Sequence, residues 1–164
     1  MNALRTCLAL LCLLVAAAAG AATVGAPAPA FALPDADGRP VALEGLRGQV
    51  VYVDFWASWC GPCRRSFPWM NEMTQKYGER GFKVVAINVD RKRADAERFL
   101  AKVPATFSIL FDPTGATPGA WEIKGMPSSF LIDARGTIVQ AEHGFDDAQK
   151  AALETQIRAL LPAR

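Results

Sequence analysis

A nearly continuous apolar run at residues 50–55 constrains the fold of this chain most strongly. Its residues are β-branched or aromatic, and Asp54 is the one charged exception. A run that does not alternate with polar residues is typical of a strand buried on both faces. Such a strand needs a sheet that is covered on both sides, so we predict an α/β fold.

Strand and helix patterns alternate along the rest of the chain. Turn residues join the first two strand patterns, and also the last two, as β-hairpins. We therefore expect a central mixed β-sheet with helices on both faces and an added N-terminal β-hairpin. The strand patterns lie at 31–33, 41–43, 50–55, 82–89, 108–111, 129–133 and 137–141, and the helical patterns at 62–77, 94–102, 116–123 and 146–161.

Residues 1–22 have the layout of a secretory signal peptide. Arg5 precedes an apolar run that ends at Ala19, and small residues follow it. The run is shorter than the roughly 20 residues that a membrane-spanning helix needs. We expect cleavage near Ala21 or Ala22, with an uncleaved membrane anchor as the alternative.

The remaining length accommodates one domain. The chain has 164 residues, a formal net charge of +2 and 51% hydrophobic residues. We assign 23–29 as a linker and 30–164 as a single globular domain. The near-neutral charge gives no electrostatic footprint for nucleic acid, and the hydrophobic fraction excludes a disordered chain.

Cysteine usage indicates redox chemistry. Of four cysteines, Cys7 and Cys12 lie in the signal segment, which leaves Cys60 and Cys63. One close pair is not a disulfide scaffold, because scaffolds join distant segments. In an exported protein, a lone C-x-x-C pair suggests thiol–disulfide exchange in the periplasm or elsewhere outside the cytoplasm.

The segment Trp59-Cys60-Gly61-Pro62-Cys63 follows the buried strand and opens a predicted helix. Free N–H groups and the partial positive charge of a helix N-terminus both stabilise a thiolate. We therefore predict that Cys60 is the nucleophile. A helical spacing of three brings Cys63 beside it, where it can attack the mixed disulfide between Cys60 and a substrate.

A metal site is another interpretation of the cysteine pair. A structural zinc site takes about four ligands, but the chain has no second C-x-x-C pair and a single histidine, His143. Met70 and Met73 fit the buried face of a helix better than a copper site. We expect no bound metal, and a copper or thiol-ligand carrier is the non-enzymatic alternative.

Asp54 interrupts the apolar strand six residues before Cys60. A buried carboxylate without a partner is unfavourable, so we expect this side chain to be protonated or partnered. We predict a general acid or base that takes a proton from Cys63 as the mixed disulfide is resolved. The alternative is a strand-end aspartate that faces the solvent.

Met126 and Pro127 directly precede a predicted strand. A cis bond between them would direct the chain towards the cysteines, and the Met126 backbone would then pair with a substrate peptide. The sequence alone favours an ordinary trans proline.

These segments resemble the thioredoxin family, and in particular its TlpA/ResA branch of exported thiol–disulfide oxidoreductases. Residues 53–63 resemble the thioredoxin active-site segment, residues 31–48 the N-terminal extension of the branch, and residues 125–136 its cis-proline loop and following hairpin. The resemblance covers residues 28–161 and implies a thioredoxin-like fold with a sheet of about four strands, plus the hairpin.

The resemblance also implies roles for single residues. Cys60 becomes the exposed nucleophile, Cys63 the resolving thiol and Pro127 a cis proline beside them. No cofactor is implied beyond the redox-active disulfide. The residues expected to contact substrate are Trp59, Gly61, Pro62, Met126 and Pro127.

Two positions depart from the family pattern. Ser66 stands where many ResA-like and cytochrome-maturation members have a glutamate, which weakens the case for a cytochrome-specific role. Ala86 stands where thioredoxins place a lysine near the buried aspartate, so we expect Asp54 to lack a cationic neighbour.

The predicted function is reduction of disulfides in exported proteins, for which cytochrome c assembly and metallocentre assembly are two candidate settings. The Gly-Pro dipeptide between the cysteines resembles that of reducing thioredoxins. A reductase in an oxidising compartment needs an electron donor, for which we expect a membrane-embedded thiol reductant. We expect a monomer without a nucleic-acid partner. A thiol peroxidase is the alternative enzyme, although peroxiredoxins use a lone cysteine in a different motif.

Overall fold

A computed structural model describes residues 22–163. The predicted signal segment lies outside the described residues, apart from Ala22. Within the described range, no helix has the length and apolar character required to cross a membrane. The elements are β1 (Ala32–Pro34), β2 (Pro40–Ala42), β3 (Val50–Trp56), α1 (Gly61–Tyr77), β4 (Phe82–Asn88), α2 (Arg93–Leu100), β5 (Ser108–Phe111), α3 (Ala116–Ala120), β6 (Ser128–Ile132), β7 (Ile138–His143) and α4 (Asp147–Leu160).

The central sheet has five strands in the order β5-β4-β3-β6-β7. Strands β3, β4 and β5 run parallel, whereas β6 and β7 are antiparallel to their neighbours. All residues of β3 are buried, as its nearly continuous apolar pattern predicts. The mixed sheet is confirmed, with five strands where the resemblance implied about four, and β1 and β2 form the expected separate hairpin.

Apolar side chains cover both faces of this sheet. On one face, Tyr52 and Trp56 pack against residues of α1, α2 and α4. On the other face, Val53 and Phe55 pack against Trp121, which follows α3, and against residues around the N-terminal hairpin. The alternation along β3 is the two-residue period of a strand, and it places Asp54 on the α1 face.

The expected linker at 23–29 runs beside the start of β7. The Gly25 N–H donates to the Ile138 carbonyl at 2.8 Å, and the Ile138 N–H donates to the Ala26 carbonyl at 3.0 Å. The Ala28 N–H donates to the Gly136 carbonyl at 2.9 Å. Backbone hydrogen bonds therefore attach this segment to the edge of the domain.

One end of the sheet collects the loops that carry the predicted chemistry. Parallel strands β3 and β4 both end there, and antiparallel β6 begins there, with Phe55 opposite Ser128. The chain after β3 leads to Cys60, and the chain before β6 contains Pro127. The strand register therefore brings these distant segments to the same edge.

We predict that Trp121 is central to the stability of the second face. It is 1% exposed, and its ring centroid lies 4.9 Å from that of Phe130 and 5.5 Å from that of Phe55. Trp121→Ala should lower the free energy of unfolding by about 3–5 kcal/mol, because it leaves a cavity. Denaturant titration would measure the change. Val24→Ala, at a side chain 61% exposed, should change stability by less than about 0.5 kcal/mol, and equal losses would contradict the prediction.

Candidate active site

Cys60 and Cys63 form a disulfide at the N-terminus of α1, with an S–S distance of 2.05 Å. Cys60 is the N-cap residue, and its Sγ accepts a hydrogen bond from the Cys63 N–H at 3.2 Å. Pro62 lies in the first turn, where an N–H would have no partner within the helix. The two sulfurs are therefore in the oxidised form of the pair, at the place where backbone donors favour an anion.

The two cysteines differ in access to solvent. Cys60 retains 5% of its surface, and Cys63 retains none. Cys60 is thus more buried in the oxidised pair than the resemblance implied, but it is still the accessible member. Its neighbours Trp59 and Gly61 are exposed, and Pro62 is half-buried, so a substrate can reach the pair from the Cys60 side.

Asp54 is buried in β3, with 1% of its surface exposed. Its neighbours across the sheet are Ala86 on β4 and Ser129 on β6. Within residues 22–163, its Oδ2 atom has no hydrogen-bond partner. Burial raises the pKa of the Asp54 carboxyl well above its usual range. The solvent-facing alternative is therefore wrong.

Tyr52 and Ser129 accompany Asp54 on the α1 face of the sheet. Tyr52 lies two residues before Asp54, and its ring contacts Trp69 edge-on at 5.4 Å between centroids. Burial and the neighbouring Asp54 carboxyl raise the pKa of the Tyr52 phenol. The sequence analysis missed both polar side chains. The two-residue spacing could have identified Tyr52, whereas Ser129 requires the strand register.

The bond between Met126 and Pro127 is cis. This confirms what the resemblance implied, and the trans bond that the sequence alone favoured is wrong. Met126 packs against the cluster of side chains that contains both cysteines. Together with the register of β6 on β3, this packing places the loop before β6 at the end of the sheet that leads to the cysteines.

The cis-proline loop is anchored on both sides of Met126. The Pro127 carbonyl accepts a hydrogen bond from the Gly144 N–H at 2.8 Å, and the Ser128 hydroxyl donates to the Gly125 carbonyl at 2.8 Å. Within the described part of the chain, the Met126 N–H and carbonyl form no backbone hydrogen bond. A fixed loop with an unpaired donor and acceptor can bind an extended peptide.

Asp90 fixes the loop that precedes Cys60. Its carboxylate accepts hydrogen bonds from the Ser58 N–H at 2.9 Å and from the Ser58 hydroxyl at 3.0 Å. The Asn88 amide donates to the same carboxylate at 2.8 Å. The sequence analysis did not identify this contact. The polar residues Asn88 and Asp90, at and just after the end of the buried strand β4, were the available signal.

The residues considered for a cytochrome-specific or metal-binding role are hydrogen-bonded or packed in the core. The Ser66 hydroxyl donates to the Cys63 carbonyl at 3.0 Å. His143 is exposed at the end of β7, with its Nδ1 3.1 Å from the Ser128 hydroxyl. Met70 and Met73 are buried in the core. Between residues 22 and 163, no three or more His, Cys, Asp or Glu side chains are grouped so as to hold a metal ion.

Known proteins share this arrangement over most of the chain. The family model of Redoxin matches residues 23–157. The thiol-disulfide oxidoreductase ResA of Bacillus cereus (strain ZK / E33L) is 31% identical over 139 residues, which are 85% of this chain and 79% of that protein. The ResA of Geobacillus thermodenitrificans is 36% identical over 118 residues, which are 72% and 68% of the two chains.

A solved structure extends the similarity to the fold. A Chlorobium tepidum protein called thiol:disulfide interchange protein DsbE matches with a TM-score of 0.81 and 56% identity. The match covers 84% of this chain and 97% of that one. The chain therefore belongs to the Redoxin family and, within it, to the TlpA/ResA-like thiol–disulfide oxidoreductases, with Cys60 and Cys63 as its cysteine pair.

Proposed function

We propose that this protein reduces disulfide bonds of exported proteins. The observation that carries the proposal is the Cys60 sulfur at the start of α1, which accepts the Cys63 N–H while Cys63 is buried behind it. The same donor would stabilise a Cys60 thiolate in the reduced pair. The Gly61-Pro62 dipeptide, which resembles that of reducing thioredoxins, supports the reductive direction.

The exchange proceeds in two steps. The Cys60 thiolate attacks one sulfur of the substrate disulfide, and the other substrate sulfur leaves as a thiolate that takes up a proton. Cys63 then loses its proton and attacks the Cys60 sulfur, which releases the second substrate thiolate and forms the Cys60–Cys63 disulfide. Two electrons pass from the protein to the substrate, and the cysteine sulfurs carry them without a bound cofactor.

We propose that Asp54 accepts the Cys63 proton in the second step. Both side chains lie between the central sheet and α1, because Asp54 shares the strand face of Tyr52 and Trp56. A raised pKa makes the carboxylate a stronger base than an ordinary aspartate. One water molecule would connect a carboxylate and a thiol that do not touch directly.

The substrate segment is proposed to lie between Trp59 and Met126. Trp59 is 71% exposed and offers a large apolar surface beside Cys60. The unpaired Met126 backbone would form hydrogen bonds to an extended substrate chain, as an added strand does. Gly61, Pro62 and Pro127 complete the proposed contact surface.

The cellular setting is also a proposal. Export through residues 1–22 would place the protein in an oxidising compartment, where a membrane-embedded thiol reductant would restore the Cys60–Cys63 dithiol. We propose that the protein acts there as a monomer, in the assembly of metallocentres or of cytochromes c. Peroxide consumption by the reduced protein would favour the peroxidase alternative, and stoichiometric copper on the reduced protein would favour the carrier.

Cys63→Ser should trap the intermediate of the first step. Without the resolving thiol, the Cys60–substrate disulfide persists and is visible as a mixed-disulfide adduct by non-reducing mass spectrometry. Cys60→Ser is the matched control and should trap no adduct, since the buried Cys63 cannot reach the substrate. Equal trapping by both variants would contradict the assigned roles.

Asp54→Asn should slow resolution of the mixed disulfide on the order of 10²-fold near neutral pH, because the proton acceptor is lost. Stopped-flow measurement of Trp fluorescence would follow the second step. A pH profile of this rate that is unchanged from the wild type would contradict the role.

The same substitution should stabilise the oxidised protein at pH 8. The folded state holds the Asp54 pKa above that of the unfolded chain, so the wild type loses stability as pH rises through that window, whereas asparagine does not titrate. Asp133 is a contrasting control at the far end of the sheet, where hydrogen bonds outweigh burial and lower its pKa. Asp133→Asn should therefore destabilise the protein at pH 8. Denaturant titrations at pH 4 and 8 would test whether the two substitutions change the free energy of unfolding in opposite directions at pH 8.

A further inference from the structure

A basic cleft lies next to Cys60 and has no part in the exchange described above. This basic cleft is a groove with a volume of about 210 Å³. Three of its side chains are cationic and only one is acidic. It is lined by Ser58, Arg64, Asp95, Arg98, Phe99 and Lys102.

The chain connectivity places this cleft at the reactive end of the sheet. Ser58 lies two residues before Cys60, and Arg64 directly follows Cys63. The hydrogen bonds from Ser58 to Asp90 attach the loop before α2 to the active-site loop. A ligand in the cleft is therefore adjacent to the nucleophile.

Two of the three cations are free to bind a ligand. The Arg64 guanidinium lies over the Phe99 ring, 5.0 Å from its centroid, and both side chains line the cleft. Arg98 pairs with Asp95. None of the ion pairs found among residues 22–163 includes Arg64 or Lys102.

The charge of the described chain is distributed unevenly around this cleft. Residues 64–65 and 90–102 contain seven lysines and arginines and three aspartates and glutamates. The rest of the range 22–163 contains nine basic and thirteen acidic residues. The described chain as a whole is neutral, so its excess positive charge lies in the two segments that supply most of the cleft residues, and three of these seven cations line the cleft itself. A local field of one sign steers an oppositely charged partner to the site.

We infer that the basic cleft binds an acidic segment of the substrate protein, next to the disulfide that Cys60 attacks. Carboxylates of this segment would bind Arg64 and Lys102, and the planar Arg64 group suits bidentate pairing with a carboxylate. The inference rests on the proposed reduction of protein disulfides and adds a substrate class to it, namely disulfides flanked by aspartate or glutamate.

Three peptides with the same intramolecular disulfide, flanked by glutamates, glutamines or lysines, would test the inference. The reduced wild-type protein should reduce the glutamate peptide about tenfold faster than the glutamine peptide at low ionic strength, and the lysine peptide most slowly. The preference should shrink at about 0.5 M salt. The glutamine peptide serves as the reference, because changes in the intrinsic reactivity of Cys60 affect all three rates equally.

The double variant R64Q/K102Q should lose most of the preference for the glutamate peptide and keep its rate on the glutamine peptide. The control K83Q/R158Q removes the same net charge at the other end of the domain, near the start of β4 and the end of α4, and should keep the preference. Equal rates on all three peptides, or an equal loss in both variants, would overturn the inference. Failure of the wild type to reduce even the glutamine peptide would instead refute the proposed function.

Discussion

The backbone pairing of β3 determines where the reactive groups lie. This strand is hydrogen-bonded to β4 on one side and to β6 on the other, and side chains cover both of its faces. Because β4 runs parallel and β6 antiparallel, the end of β3 meets the loop after β4 and the loop before β6. The cysteines, Asp90 and Pro127 are thereby brought together from distant parts of the chain.

The site contains two different electrostatic environments, one at Cys60 and one at Asp54. Cys60 lies at a helix N-terminus, where backbone donors favour a negative charge. Asp54 lies in the sheet below α1, where the loss of water disfavours a negative charge. In the proposed mechanism the two conditions serve different steps, since the Cys60 sulfur attacks as an anion and the Cys63 thiol gives up a proton. Ala86, the neighbour of Asp54 on β4, is neutral and therefore does not stabilise the Asp54 carboxylate as a cation would.

The fold and the cysteine pair could be predicted from the sequence because they depend on local patterns. The apolar run of β3 and the spacing of Cys60 and Cys63 can be recognised without tertiary information. The contribution of Ser129 requires the register between β3 and β6, and the contact between Ser58 and Asp90 joins residues far apart in sequence. The isomer at Pro127 depends on tertiary context, because the intrinsic difference between cis and trans X-Pro bonds is about 0.5–1 kcal/mol.

The hydrogen bonds of residues 23–29 to the start of β7 determine which side of the domain this segment occupies. These residues bond to Gly136 and Ile138, and Ile138 lies in register with Ile132, opposite the amino end of β3. The seven residues of β3 span about 20 Å, at about 3.3 Å per residue, from that end to the end that leads to Cys60. The segment 23–29 therefore lies on the side of the domain remote from the disulfide, and it leaves the approach of a bulky folded substrate to the sulfur pair unobstructed.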